Sequence, residues 1–130
     1  VAVFSAAVSD WRIKNYKKNK IKKDEKISLE FEKNIDILNN ISNHNSLRPK
    51  LVIGFAAETE NIEKNAQTKL EEKKCDWIIA NDVSDNSIGF DSDQNSVAIF
   101  YKDGDKEIIE KTSKKILSDV IVEKIINQLN

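Results

Sequence analysis

Three stretches of this chain are almost unbroken in apolar residues: "VAVFSAAV" at 1–8, "KLVIGFAA" at 50–57 and "CDWIIANDV" at 75–83. Strands with one wet face alternate apolar and polar residues. Strands this continuous need cover on both faces, the condition of parallel strands sandwiched by helices. Between the second and third runs lies "TENIEKNAQTKLEEKK", where Ile62, Ala66 and Leu70 recur at helical spacing. Thr59 is the expected N-cap, with Glu60 and Glu63 where the helix dipole favours anions. Strand, helix and strand over this distance make a βαβ unit, so the predicted fold is α/β with a Rossmann-like parallel sheet.

The remaining segments dress that sheet. "SVAIFYKDGDKEIIEK" reads as a hairpin turning at Asp103 and Gly104. The last segment places Ile116, Leu117, Val120, Ile121, Ile125 and Leu129 on one stripe of a covering helix. "EKISLEFEKN" alternates instead, with Ile27, Leu29 and Phe31 on one side and Ser28, Glu30 and Glu32 on the other. It is expected to be a half-buried, antiparallel strand in a side extension. "NIDILNNISNH" reads as a short helix and "SLRP" as the loop into the next strand.

At 130 residues the chain is sized for one domain. No apolar run approaches the roughly 18 residues of a membrane span, so no membrane partner is expected. The single cysteine, Cys75, excludes an internal disulfide and fits a reducing, cytoplasmic setting. Cys75 is read as structural and His44 as a surface residue that cannot build a metal site alone; no metal ligands are assigned. "DSDQN" at 91–95 fails as a calcium loop, because Ser96 stands where glycine is needed and Lys102 where glutamate is needed, and it reads instead as a loop before the hairpin. Val1 opens directly on a strand-like run with no turn before it. The expectation is a piece of a longer chain whose opening strands lie upstream.

The formal charge of −1 hides an asymmetry. Residues 12 to 26 carry eight basic side chains against Asp24 and Glu25, which leaves the rest of the chain acidic. Charge this local suits a phosphate site better than nucleic acid, though a solvated loop explains it equally well. Ligands of open α/β sheets bind outside the carboxyl ends of the strands. Two such ends are bare of large side chains and finish in an acid: "SAAVSD", with Ser5, Ala6, Ala7 and Asp10, and "GFAAET", with Phe55 available to pack on a flat base. A third, "ANDVS", offers Asn81 and Asp82. On the intervening helix, Lys69 and Lys73 fall within the roughly 80° arc of the apolar stripe. Either they snorkel past the helix end, or they are a pair of cations aimed at a triphosphate or ribose; four apart, they repel unless an anion sits between them. "KIKK" at 20–23 puts Lys20 and Lys22 on one face of an extended loop.

In order along residues 2 to 104, "AAVSDWR", "KIKK", "NIDIL", "RPKLVIGFAAET", the lysines of "KLEEKK" and "CDWIIANDVS...IGFDSDQNSV" resemble the phosphopantothenate–cysteine ligase domain of bacterial coenzyme A biosynthesis. The resemblance implies that residues 1–130 are the C-terminal portion of one such domain, with the opening strands of the Rossmann-like sheet missing and 12–33 forming a flap and small antiparallel dimerisation extension. It implies an enzyme that joins phosphopantothenate and cysteine through an acyl-cytidylate made from CTP, with Mg2+ accompanying the CTP. FMN would belong only to an upstream decarboxylase half. Nucleotide contacts carried over by position are Phe4, Ser5, Ala6, Asp10, Lys20, Ile35, Asp36, Ile37, Leu38, Phe55, Lys69 and Lys73, and Lys20 matches the family's essential lysine. A homodimer is implied. Ile35 stands where the family has proline, and the family's glycine-bearing phosphate loop and catalytic asparagine are not in these residues. The competing reading is a non-catalytic module whose lysine-rich arm binds RNA or a protein.

Overall fold

The computed structural model describes residues 1–15, 28–82 and 92–130. Seven strands and three helices are found among them: β1 (Ala2–Phe4), β2 (Trp11–Ile13), β3 (Phe31–Lys33), α1 (Ile37–Ser42), β4 (Val52–Glu58), α2 (Ile62–Lys73), β5 (Trp77–Asp82), β6 (Gln94–Tyr101), β7 (Lys106–Ser113) and α3 (Lys114–Leu129). Five strands form one sheet in the order β1-β4-β5-β6-β7. The three nearly continuous runs are its parallel part, β1 beside β4 beside β5, and the predicted hairpin β6–β7 adds two antiparallel strands.

Helices cover both faces. On one, Leu51, Ile53, Trp77, Ile79, Val97 and Ile99 pack under Leu117 and Ile121 of α3. On the other, Val52, Ala56, Ile78, Ala80 and Phe100 pack against Ala66 and Cys75, with Leu38 of α1 and Ile62 and Leu70 of α2. This double cover explains why β4 and β5 carry no polar alternation.

Several expectations are corrected. The first run pairs only from Ala2 to Phe4 and lies at the sheet edge, leaving Val1 and Val3 exposed rather than buried. Helix α2 starts at Ile62, so its N-cap is Asn61 in a left-handed conformation, not Thr59, and Glu60 precedes the helix. Gln94 and Asn95, expected in a loop, open β6. On the α3 stripe, Leu117 and Ile121 are buried while Ile116 and Leu129 stay exposed, because α3 crosses only part of the sheet. The side extension exists as the antiparallel ribbon β2–β3, but β3 spans Phe31–Lys33, so Leu29 precedes it, and Trp11, Ile13, Leu29 and Phe31 are exposed within this chain rather than half-buried.

An ion pair at the opposite ends of the strands went unread. Arg48, in the "SLRP" loop, donates from Nη2 to both Asp76 oxygens (2.9 and 3.0 Å), from Nε to the Ser42 carbonyl and from Nη1 to the Pro49 carbonyl. Asp76 Oδ2 also accepts the Val52 amide at 2.8 Å. The pair ties the entries of β4 and β5 to the exit of α1.

Candidate functional site

A cleft of about 750 Å³ opens where the parallel strands β1 and β4 end. Its floor follows from the short first strand. Pairing stops at Phe4 opposite Gly54, so Phe55 has no neighbour on its β1 side. The chain then leaves the sheet through Ser5 and Ala6, whose small side chains leave the backbone bare, and Phe4, Ser5, Ala6 and Phe55 all line the cleft.

The next wall is braced by Asn34. Its amide donates to the Asp10 carbonyl and its Nδ2 to the Ser9 carbonyl, both at 2.8 Å. That strap holds Asp10 beside the segment that leads into α1, and Asp10, Ile35, Asp36, Ile37 and Leu38 line the same cleft. Asp36 is the N-cap of α1: its Oδ1 accepts the Asn39 amide at 2.8 Å. Isoleucine at 35, in place of proline, leaves this cap intact.

Lys69 and Lys73 of α2 close the cleft from the other side. Each has its own carboxylate. Lys69 donates to Glu58 Oε1 at 2.6 Å, while Glu58 Oε2 accepts Asn65 Nδ2 at 2.9 Å. Lys73 donates to Asp36 Oδ2. Two lysines four apart repel unless an anion offsets them, and here the protein itself supplies a carboxylate to each. The pairing also explains how lysines occupy the apolar arc of α2.

The charges respond as these contacts dictate. Burial pushes the Asp36 carboxyl up, but the Asn39 amide and the Lys73 ammonium together hold it below its ordinary 3.8. The hydrogen bond to Asp36 raises Lys73, outweighing the opposing effect of burial, and the fields of Glu72 and Asp10 add to it. Burial likewise opposes, without cancelling, the lowering of Glu58 by Lys69 and Asn65. Cys75 is fully buried, its thiol pushed up to about 11 by that burial, so it stays protonated as a core residue. His44 lies in a loop and accepts the Leu47 amide through Nδ1 at 3.1 Å.

Every described residue assigned to the nucleotide by resemblance thus lines this one cleft. Lys20, the residue assigned to catalysis, lies outside the described residues, as do Lys17, Lys18, Lys22, Lys23 and Lys26 of the basic segment and the "VS" that follows Asp82. The third strand end contributes no lining residue among those described. Trp11 and Lys33 line the cleft and were not singled out in the sequence. Lys33 had a signal: counted with Leu29 and Phe31, it is a lysine on the apolar side of the alternating strand. Among the described residues, no group of three or more His, Cys, Asp and Glu side chains could hold a metal, and no helix is long and apolar enough to cross a membrane.

Residues 1–129 match the model of the DNA/pantothenate metabolism flavoprotein C-terminal domain family. Similar proteins include the coenzyme A biosynthesis bifunctional protein CoaBC of Haemophilus influenzae, 39% identical over 119 residues that make up 91% of this chain and 29% of that protein. The CoaBC protein of Bacillus subtilis is 39% identical over 126 residues, 96% of this chain and 30% of its own. The chain therefore spans about three-tenths of the length of these relatives. A crystal structure of the C-terminal domain of CoaBC superposes with a TM-score of 0.73 at 32% identity, covering 98% of this chain and 54% of that one. The DNA/pantothenate metabolism flavoprotein from Streptococcus pneumoniae shares the fold, with a TM-score of 0.60 at 22% identity over 82% of this chain and 46% of its own. With the α/β sheet, the cleft at its strand ends and these matches together, the chain belongs to the DNA/pantothenate metabolism flavoprotein C-terminal domain family.

Proposed function

We propose that this chain forms much of the nucleotide site of a CTP-dependent phosphopantothenate–cysteine ligase acting in coenzyme A biosynthesis. The observation that carries the reading is the convergence of Phe4 to Ala6, Asp10, Ile35 to Leu38, Phe55, Lys69 and Lys73, from separate parts of the chain, on one cleft. In the proposed reaction the phosphopantothenate carboxylate attacks the α-phosphorus of CTP, and pyrophosphate leaves. The cysteine amine then attacks the acyl carbonyl, and CMP leaves with the bonding electrons.

The first step brings an anion to an anion, so its transition state needs cations placed beforehand. Lys69 and Lys73 meet that need, since Glu58 and Asp36 hold their ammonium groups in place ahead of any ligand. Phosphate oxygens would share these ammonium groups, each of which has three protons to donate. Lys20 is assigned to the charge that develops as the acyl-cytidylate forms. The described carboxylates of the cleft do not amount to a metal site of their own, so Mg2+ would be carried by the triphosphate. The exposed apolar face of the β2–β3 ribbon, with Trp11, Ile13 and Phe31, is what a homodimer would cover.

The test is pyrophosphate release by the full-length protein supplied with phosphopantothenate, cysteine and either CTP or ATP. Release with CTP, abolished by Lys20→Gln without loss of fold, is expected. Absence of any nucleotide-dependent release, or binding that follows an oligonucleotide and ignores CTP, would replace the ligase reading with a binding module.

A further inference from the structure

Three lysines line the cleft among the described residues, and they are not equivalent. Lys69 and Lys73 each hold a carboxylate, Glu58 and Asp36. Lys33 holds none among the described residues. Its ammonium lies 5.6 Å from the centroid of the Trp11 ring. The face of an indole attracts and orients a cation without cancelling its charge.

The register of the ribbon creates this arrangement. Lys33 pairs with Trp11 and Phe31 with Ile13, so these four side chains share one face, while Arg12 and Glu32 bridge at 2.7 Å on the other. A lysine on an apolar face, on the side opposite that ion pair, stands where the face meets the cleft. An ammonium already bound to a carboxylate must share its partner before it serves a ligand. One poised over an aromatic ring need not, and its exposed head keeps its donors for a compact anion.

We propose that Lys33, oriented by Trp11, is the receiving group for a phosphate of the ligand in this cleft. The chemistry is that of a phosphate monoester or polyphosphate. Resting on the ligase reading, its source is either the CTP triphosphate or the phosphate of phosphopantothenate, and the experiment separates them.

Wild-type, Lys33→Gln and Lys33→Arg forms of the full-length protein are titrated calorimetrically with tripolyphosphate, with CTP and with phosphopantothenate. The Gln variant should bind tripolyphosphate about five-fold more weakly, the scale of one exposed charge contact, and the Arg variant should stay within about two-fold of wild type. Melting should stay cooperative and close to the wild-type midpoint, because among the described residues the Lys33 head has only its Trp11 contact to lose. A matching loss for CTP assigns the contact to the nucleotide, and one for phosphopantothenate assigns it to that phosphate. Unchanged affinity for all three ligands, or weakening that comes only with lost cooperative melting, overturns the proposal. A wild-type protein that binds tripolyphosphate but neither CTP nor phosphopantothenate sinks the ligase reading, while Lys33 is still judged by tripolyphosphate. Binding of none of the three overturns both.

Discussion

Replacing Gly54 by alanine should loosen one wall of the cleft from beneath. Gly54 is the last β4 residue paired with β1, and a Cβ built on it would meet Leu38 Cδ2 at 2.5 Å and Ile78 Cδ1 at 2.9 Å. Ordinary carbon contacts need about 3.5–4.0 Å, so Leu38 must retreat by roughly 1 Å. Overpacking of this kind costs about 1–3 kcal/mol, and the lower half applies because both obstacles are ends of flexible side chains. Reduced freedom of the unfolded chain offsets it by about 0.4–1 kcal/mol. The expected net loss is about 1 kcal/mol, centred on α1, since Leu38 is what anchors that short helix to the sheet. Asp36 caps the same helix and holds Lys73, so displacement of α1 reaches the cleft. Hydrogen–deuterium exchange on the full-length protein should show the α1 amides exchanging about five-fold faster. Leu38→Ala alone should cost about 2 kcal/mol, the lower limit for a half-buried leucine. In the double variant the methyl introduced at position 54 occupies the vacated space, so the two losses should fall short of additive by about 1 kcal/mol. Additive losses, or unchanged exchange in α1, would refute the packing argument.

Two further outcomes follow from the charge network. Asp76→Ala removes the partner of Arg48 and the acceptor of the Val52 amide, both partly buried. It should destabilise the fold by roughly 2–3 kcal/mol, read as a lower melting midpoint, yet leave CTP affinity alone because the pair sits at the far ends of the strands. A fall in affinity without loss of stability would contradict that placement. The second outcome concerns pH. The Asp36 and Glu58 carboxyls are lowered in the folded protein from ordinary values of 3.8 and 4.5. Their stabilisation is therefore complete above those values and disappears as pH falls through the folded-state pKa values. Lys73 is raised, so its share is complete at neutral pH and is lost only at alkaline pH, above its ordinary 10.5. The melting midpoint should accordingly hold steady from neutral pH to about 5 and decline below about 4.5. In Glu58→Gln that acid decline should be shallower; an equally steep decline would show that Glu58 does not contribute to it.

The α/β class, the parallel trio of strands, the α2 crossover and the terminal hairpin were legible in the sequence. Apolar continuity and helical period are local consequences of being covered on two faces or one. The family was legible as well, because its motifs keep their order along the chain. The site was legible as a set of residues but not as a network. Lys69 and Lys73 stood out for lying on the wrong arc of a helix, yet nothing local announced that Glu58 and Asp36, 11 and 37 positions away, would neutralise them. The length of β1, the start of α2 after Asn61, the Arg48–Asp76 pair and the meeting of Lys33 with Trp11 were likewise decided in three dimensions. Period and composition report which faces a segment must bury. Partners far apart in sequence meet only when the sheet register and the packing of α1 and α2 bring them together, so the charge state of this cleft belongs to the tertiary structure.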